Sequence, residues 1–447
     1  MSNPLTEHAN LVFIGHVDAG KSTTCGQILC QTGVGDTRTL EKYQKEANDH
    51  GQAECGTTYF TDIDEEEREK NITIDVGRAQ FITNKRRYTI LDAPGHRMFV
   101  PNMINGVSQA DIGILLIPAR KGEFESGFEK NGQTKEHALL ARALGVKRLV
   151  VAINKMDDIT VNWDQERFET IKESVGKYLR TVGFPIKDVN YVPISGFNGM
   201  NIKEPVSKEV CNWNTSLPLL DVLDSIPINY QFQSNKLLRI PVLDKIKEDG
   251  KLMILGKIES GVLTVGDEIL CQPNSIRMQV IHIMSGDFDL NKSNSGENLK
   301  IFVKMNASEE DYISKGNVLS HIKTPCTVTT DIVAKIYIRE LTESDSIRIF
   351  SEAVQCVIHL GLITEEIRIT KILEKMDNKG QTLERLPKFV LGNSFIVAHI
   401  TFPRPVCVEK FDDYERLSLF ALRNEGKTIG FGRVIAPNAP KMVKRAK

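Results

Sequence analysis

Between residues 8 and 229, short unbroken apolar runs alternate with longer stretches whose apolar residues recur every three or four positions. Unbroken runs mark strands buried on both faces, and the longer period marks helices with one buried stripe. The segment therefore predicts a mostly parallel sheet covered by helices. Strands are predicted at 10–15, 74–82, 86–92, 111–118, 147–153 and 189–194, and helices at 21–31, 38–49, 97–109, 133–144, 164–182 and 217–225. Thr83-Asn84-Lys85 is a short polar turn joining the second and third strands as a hairpin, so one edge of the sheet should be antiparallel. From about Lys236 the pattern changes to closely spaced strands broken by Gly250, Gly256, Gly261, Gly266, Gly296 and Gly316, which predicts a small antiparallel barrel. Alternating segments at 331–338, 353–360, 365–373, 394–402 and 428–435 predict a second barrel. Ile226 to Asn235, with Pro227 and polar neighbours, is the predicted linker ahead of the first barrel.

At 447 residues the chain has room for three domains, each with its own core. They are expected at 1–229, 230–326 and 327–447, the last carrying a basic tail with Lys441, Lys444, Arg445 and Lys447. Fifty-seven Lys and Arg against 58 Asp and Glu leave a net charge of −1, so any RNA contact must come from local patches. The tail reads as a solvated terminus rather than an RNA contact. The start, MSNPLTEHAN, lacks a basic and then apolar leader, and no apolar run approaches the length needed to span a bilayer. A soluble, cytoplasmic protein without a membrane partner is expected. The eight cysteines are scattered without a C-x-x-C pair or paired histidine spacing, which excludes a zinc cage and suits reduced, buried thiols. Trp163 and Trp213 are read as packing anchors.

The chemistry concentrates at strand ends. Gly15 to Ser22 reads GHVDAGKS, the G-x-x-x-x-G-K-[ST] pattern, after the apolar run Leu11 to Ile14. A strand feeding a glycine loop that opens a helix turns backbone N–H groups inward, where phosphate oxygens fit. Asp18, Ala19, Gly20, Lys21, Ser22 and Thr23 form this candidate cradle, with Lys21 reaching the β and γ phosphates and Ser22 offering a hard oxygen to Mg²⁺. Asp92-Ala93-Pro94-Gly95 follows the third strand; Asp92 suits the metal through water, and Gly95 lets a backbone N–H approach a γ-phosphate. Thr73, in the stretch Glu67 to Asp75, could place its hydroxyl beside Ser22 on the metal, and a loop tied down in that way would act as a switch. Asn154, Lys155 and Asp157 follow a strand in NKMD, where the carboxylate can accept from the guanine N1–H and exocyclic amine. Ser195 and Gly196 follow another strand, where a backbone N–H can meet the guanine carbonyl. His96, directly after DAPG, is the candidate to orient an attacking water. No arginine announces itself as a finger in cis, so slow intrinsic hydrolysis awaiting a partner is expected.

With these motifs placed, GHVDAGKST, EREKNITID, DAPGH, NKMD and PISG together resemble the translational GTPases over nearly the whole chain, including LGKIESGVLTVGDEI in the first barrel. Within that family, ITIDVGRAQF, RKGEFESGFEKNGQTKEH, NKMDDITVNW, RPVCVEKFDDY and LRNEGKTIGFGRV are similar to the branch of eukaryotic peptide chain release factor three. The resemblance implies a P-loop α/β GTPase domain followed by two antiparallel β-barrels, with GTP/GDP and Mg²⁺ as cofactors. It implies Lys21, Ser22, Thr73 and Asp92 at phosphate and metal, and Asn154, Lys155, Asp157, Ser195, Gly196 and Phe197 at the base. It also makes His96 the catalytic histidine, with Val17 and Ile72 holding it from water until a ribosome acts.

The partners so implied are the stop-codon-reading class I release factor and the ribosome, including ribosomal RNA, with a monomer outside that complex. Delivery of aminoacyl-tRNA, as by elongation factor one-alpha, and ribosome rescue are the alternatives, together with a non-hydrolysing GTP-gated adaptor from another class. Similar proteins carry a long N-terminal extension that binds poly(A)-binding protein; this sequence starts almost at the first strand, which leaves that partner open. Ser418-Leu419-Phe420-Ala421 stands where the family has G-R-F-T, in a patch used against the partner. Strand alternation should leave Leu419 outside the barrel core, opposite in facing to Phe420 and Leu422.

Overall fold

The computed structural model of the chain describes residues 7–34, 73–128, 132–228, 231–248, 251–286, 288–340, 347, 349–352, 354–377 and 379–437. The predicted helix at 38–49, Ile72 and the basic tail lie outside them. The chain divides into two compact units, Met1–Ile228 and Asn229–Lys447, so the division falls within the predicted linker. That stretch also holds a short helix, Gln231–Ser234.

The first unit is built on a six-stranded sheet. Its strands are β1 (Glu7–Gly15), β2 (Gly77–Ile82), β3 (Arg86–Asp92), β4 (Ile112–Pro118), β5 (Arg148–Asn154) and β6 (Val189–Pro193), in the order β2-β3-β1-β4-β5-β6. Only the edge pair β2–β3 is antiparallel, in the register Gly77 opposite Asp92 to Ile82 opposite Arg87. All other neighbours run parallel. Every residue of β4, and every residue of β1 after Glu7, is buried, as two-sided covering requires of central parallel strands. The helices are α1 (Lys21–Gln31), α2 (Val100–Gln109), α3 (Glu123–Phe128), α4 (Gln133–Ala143), α5 (Gln165–Val182) and α6 (Leu219–Ser225). In α5 the Asp164 side chain accepts from Arg167 N at 2.9 Å, Phe168, Ile171, Val175 and Leu179 form the buried stripe, and Gly183 ends the helix in a left-handed conformation.

Two predictions need correction. The strand expected at 74–82 begins at Gly77. The helix expected at 97–109 is a 3-10 turn at Arg97–Phe99 followed by α2 from Val100, because Pro101, which has no N–H to give, belongs in a first turn. Helix α3 lies in a stretch for which no element is predicted.

Each half of the second unit is a closed six-stranded antiparallel barrel. The first comprises β7 (Ile240–Glu248), β8 (Lys251–Lys257), β9 (Glu268–Gln272), β10 (Ile276–Ser285), β11 (Asn298–Lys304) and β12 (Val318–His321), in the order β9-β12-β7-β8-β11-β10 and closed by β10 on β9. The second comprises β13 (Val328–Ile338), β14 (Gln355–Leu360), β15 (Ile363–Met376), β16 (Ser394–Cys407), β17 (Leu419–Asn424) and β18 (Lys427–Pro437), in the order β14-β17-β18-β13-β16-β15 and closed by β15 on β14. β17 was not among the predicted strands. Its Phe420 and Leu422 lie in the barrel core, and Leu419, opposite Arg433, is half-buried outside it. Ala421 is fully buried although it faces away from that core, so the outer side of β17 is itself covered.

Candidate nucleotide-binding site

Parallel strands bring their carboxyl ends to one edge of the sheet, and there β1, β3, β5 and β6 deliver Gly15, Asp92, Asn154 and the turn after Pro193. The loop from Gly15 to Gly20 turns sharply into α1, with Gly20 at φ 88° as its N-cap, where a side chain would be strained. A Cβ at Gly20 would also lie 2.5 Å from Asn154 Nδ2. Lys21 is buried, and its Nζ donates to His16 O at 2.9 Å and Gly15 O at 3.4 Å. Burial pushes its pKa down, opposed by the carboxylates of Asp92 and Asp18. The same loop lowers the pKa of His16, through burial first and the Lys21 charge second.

Across the cradle, a Cβ added at Gly95 would lie 2.4 Å from Lys21 Nζ and 3.2 Å from His16 O and Val17 N. The DAPG turn and the phosphate loop thus approach as closely as backbone allows, a cradle that an extra carbon would fill. Ser22 Oγ and Thr73 Oγ1 stand 3.0 Å apart, and Asp92 is buried at the end of β3. Two hydroxyls and a carboxylate are the hard oxygen set that Mg²⁺ takes, so these residues fit that ion. His96 is half-buried, its Nδ1 accepting from Met98 N at 3.3 Å and its ring 5.9 Å from that of Phe99. That bond commits Nδ1 as acceptor and leaves Nε2 to carry the proton of the neutral ring. Val17 is half-buried, Asp18 exposed and Ala19 buried; Thr23, on α1, is half-buried.

The residues expected at the base are tied together. Asn154 Nδ2 donates to Ala19 O at 2.9 Å, and Asn154 Oδ1 accepts from Gly196 N at 2.7 Å, so one buried amide clasps the phosphate loop and the turn after β6. Asp157 is half-buried, and Asn198 Nδ2 donates to its Oδ2 at 2.6 Å. Lys155, at φ 60°, pairs with Glu123 of α3 at 2.7 Å. Phe197 is exposed.

In the turn expected to offer a backbone N–H to the base, Ser195 N donates to Met200 O at 3.1 Å and Gly196 N to Asn154 Oδ1 at 2.7 Å. The next N–H along the turn is that of Phe197. Sequence reasoning missed Glu123, Asn198 and His137, whose buried ring accepts from Gly15 N at 3.2 Å through Nδ1. Glu123 and His137 lie within RKGEFESGFEKNGQTKEH, but nothing in their spacing reveals which strand end each meets.

The sheet, the phosphate loop and the base clasp define a P-loop nucleotide-binding domain joined to a pair of antiparallel barrels. The family described as the elongation factor Tu GTP binding domain matches residues 6–229, and the one described as GTP-eEF1A C-terminal domain-like matches residues 332–435. The eukaryotic peptide chain release factor GTP-binding subunit of Kluyveromyces lactis is 42% identical over 432 residues, 96% of this chain and 60% of that protein. Its counterpart in Dictyostelium discoideum is 39% identical over 431 residues, 96% of this chain and 76% of that protein. The chain belongs to this family of release factor GTP-binding subunits within the translational GTPases. It spans 60% of the Kluyveromyces relative's length. The solved Ski7 GTPase-like domain of S. cerevisiae, bound to GTP, superposes with a TM-score of 0.79 at 16% identity over 96% of this chain and 98% of that one, a likeness of fold.

Proposed function

We propose that the protein is a cytosolic GTPase of translation termination, used as three domains at 1–229, 230–326 and 327–447. In this reading it binds GTP with Mg²⁺, forms a complex with the stop-codon-reading release factor, and hydrolyses GTP when the ribosome stimulates it. The observation that carries the nucleotide part is the Asn154 clasp, which locks phosphate loop to base turn, with the Asp157 carboxylate beside it. The name shared by the relatives supports the termination part.

Ser22, Thr73 and, through water, Asp92 would hold Mg²⁺, which when bound neutralises charge on the β and γ phosphates. Lys21 would exchange the loop carbonyls it now meets for phosphate oxygens. The Gly95 N–H would face the γ-phosphate. His96 would orient the attacking water through Nε2, and Val17 and Ile72 would screen it. Asp157 would accept from the guanine N1–H and amine, and the Phe197 N–H would meet the carbonyl.

The test is Asp157→Asn. The amide can donate to a 2-carbonyl where the carboxylate could only accept, so the variant should lose GTP and gain xanthosine triphosphate in a competition titration. An unchanged preference for guanine would remove Asp157 from the base. Copurification of the GTP-loaded chain with aminoacyl-tRNA instead of the release factor would overturn the termination reading.

A further inference from the structure

Asn198 is an exposed residue held from three sides. Its N–H donates to the buried Ser195 Oγ at 3.1 Å, its neighbour Gly199 accepts from Gln31 Nε2 of α1 at 2.9 Å, and its side-chain amide donates to Asp157 Oδ2 at 2.6 Å. The turn is closed behind it by the bridge between Ser195 and Met200. An exposed asparagine fixed at both its backbone and its amide loses conformational freedom that solvent would otherwise leave it, so the contact selects one geometry. A carboxylate has two oxygens and about four acceptor directions. With one direction of Oδ2 spent on Asn198, rotation of the carboxylate is restrained, and Oδ1 with the remaining lone pair of Oδ2 is left as a pair of acceptors.

We infer that Asn198 is a positioning residue for base recognition: its amide fixes the Asp157 carboxylate in the plane that accepts two adjacent N–H donors of one purine. The inference rests on the reading of Asp157 as the guanine acceptor. It accounts for selectivity between a base with N1–H and an exocyclic amine and one with N1–H alone. A rotated carboxylate still finds one donor, whereas two parallel bonds need the plane held.

The experiment titrates the full chain with guanosine and inosine diphosphates, which differ by that amine. Asn198→Ala should weaken guanosine diphosphate about tenfold and inosine diphosphate much less, so their affinity ratio falls about tenfold, while the thermal midpoint of the protein stays put because the side chain is exposed. Asn198→Asp places a second carboxylate against the first. Its ratio should be lowest at pH 8 and recover toward pH 5, as the two acids come to share a proton and one regains a donor. Asp157→Asn is measured alongside. An unchanged ratio in Asn198→Ala with a changed one in Asp157→Asn overturns the role of Asn198 and leaves the base assignment standing. Unchanged ratios in both overturn the two together. Tighter binding in Asn198→Ala would make the amide a competitor for the base site and also overturn the inference.

Discussion

His96 shows how one side chain can be committed at one nitrogen and left active at the other. Its Nδ1 caps the 3-10 turn through Met98 N, so the ring is held while Nε2 stays available to a water. In the proposed role, replacing it by alanine would remove a group that acts in the transition state and little that holds nucleotide. His96→Ala should keep GTP affinity within a few fold and slow ribosome-stimulated hydrolysis by on the order of 10² or more. Nucleotide titration and single-turnover phosphate release check this, and equal losses in both would make the ring structural. A second histidine answers to pH. His359, on β14, is buried beside Arg423, and burial first, then that charge, lowers its pKa from 6.5 to about 4. The unfolded chain binds the proton at higher pH than the folded one, so stability present above pH 6.5 is lost as pH falls toward 4. By pH 4 wild type should have lost about 3 kcal/mol more than His359→Asn, measured by urea unfolding.

At the scale of elements, α6 is joined to the hairpin by side chains from both of its strands' connection and β3. Tyr88 Oη and Thr83 Oγ1 both donate to Asp224 Oδ1, at 2.8 and 2.9 Å, and Arg86 Nη1 donates to Ile226 O at 2.5 Å. These bonds tie the edge of the sheet to the last helix of the first unit. Tyr88→Phe removes one bond to the carboxylate while keeping the stacked contact with Phe81, 5.1 Å between ring centres. The expected cost is roughly 1–2 kcal/mol in denaturant unfolding, without change in nucleotide affinity. Helix α3 belongs to this scale too. Its six residues are too few to display a helical period, and what holds it is tertiary: Glu123 to Lys155, Glu125 to Arg167, and the Arg167 guanidinium over the Phe124 ring.

At the scale of the second unit, the two barrels are joined by a buried ion pair. Arg239 Nε donates to Glu409 Oε1 at 2.7 Å, with side-chain exposures of 4% and 9%, and the guanidinium also donates to the carbonyls of Leu238, Thr324 and Pro325. Glu409 in turn accepts from Thr327 N and Oγ1 in the segment between the barrels. Removing one partner strands the other's charge away from water. Glu409→Ala should therefore destabilise this unit by roughly 3–5 kcal/mol and raise amide exchange around 324–328, while nucleotide binding persists. Undiminished stability would show that the carbonyls alone satisfy Arg239.

Local pattern alone determined the parallel sheet, its antiparallel edge at Thr83-Asn84-Lys85, the two barrels and the strand ends that carry GHVDAGKS, DAPG, NKMD and SG. Each depends on the period of apolar positions or on a loop chemistry that demands particular residues in a row, and both are written locally. Only the tertiary structure decided that Asn154 clasps Ala19 and Gly196, that Asn198 meets Asp157, and that Glu123 meets Lys155. Those partners stand between 32 and 135 residues apart in the chain, so no periodicity records them. They meet because parallel strands deliver their carboxyl ends to one edge, and a hydrogen bond depends on distance in space. The same holds for the spent N–H groups of Ser195 and Gly196, since a motif says which backbone groups are near a ligand but not which ones the fold has already used.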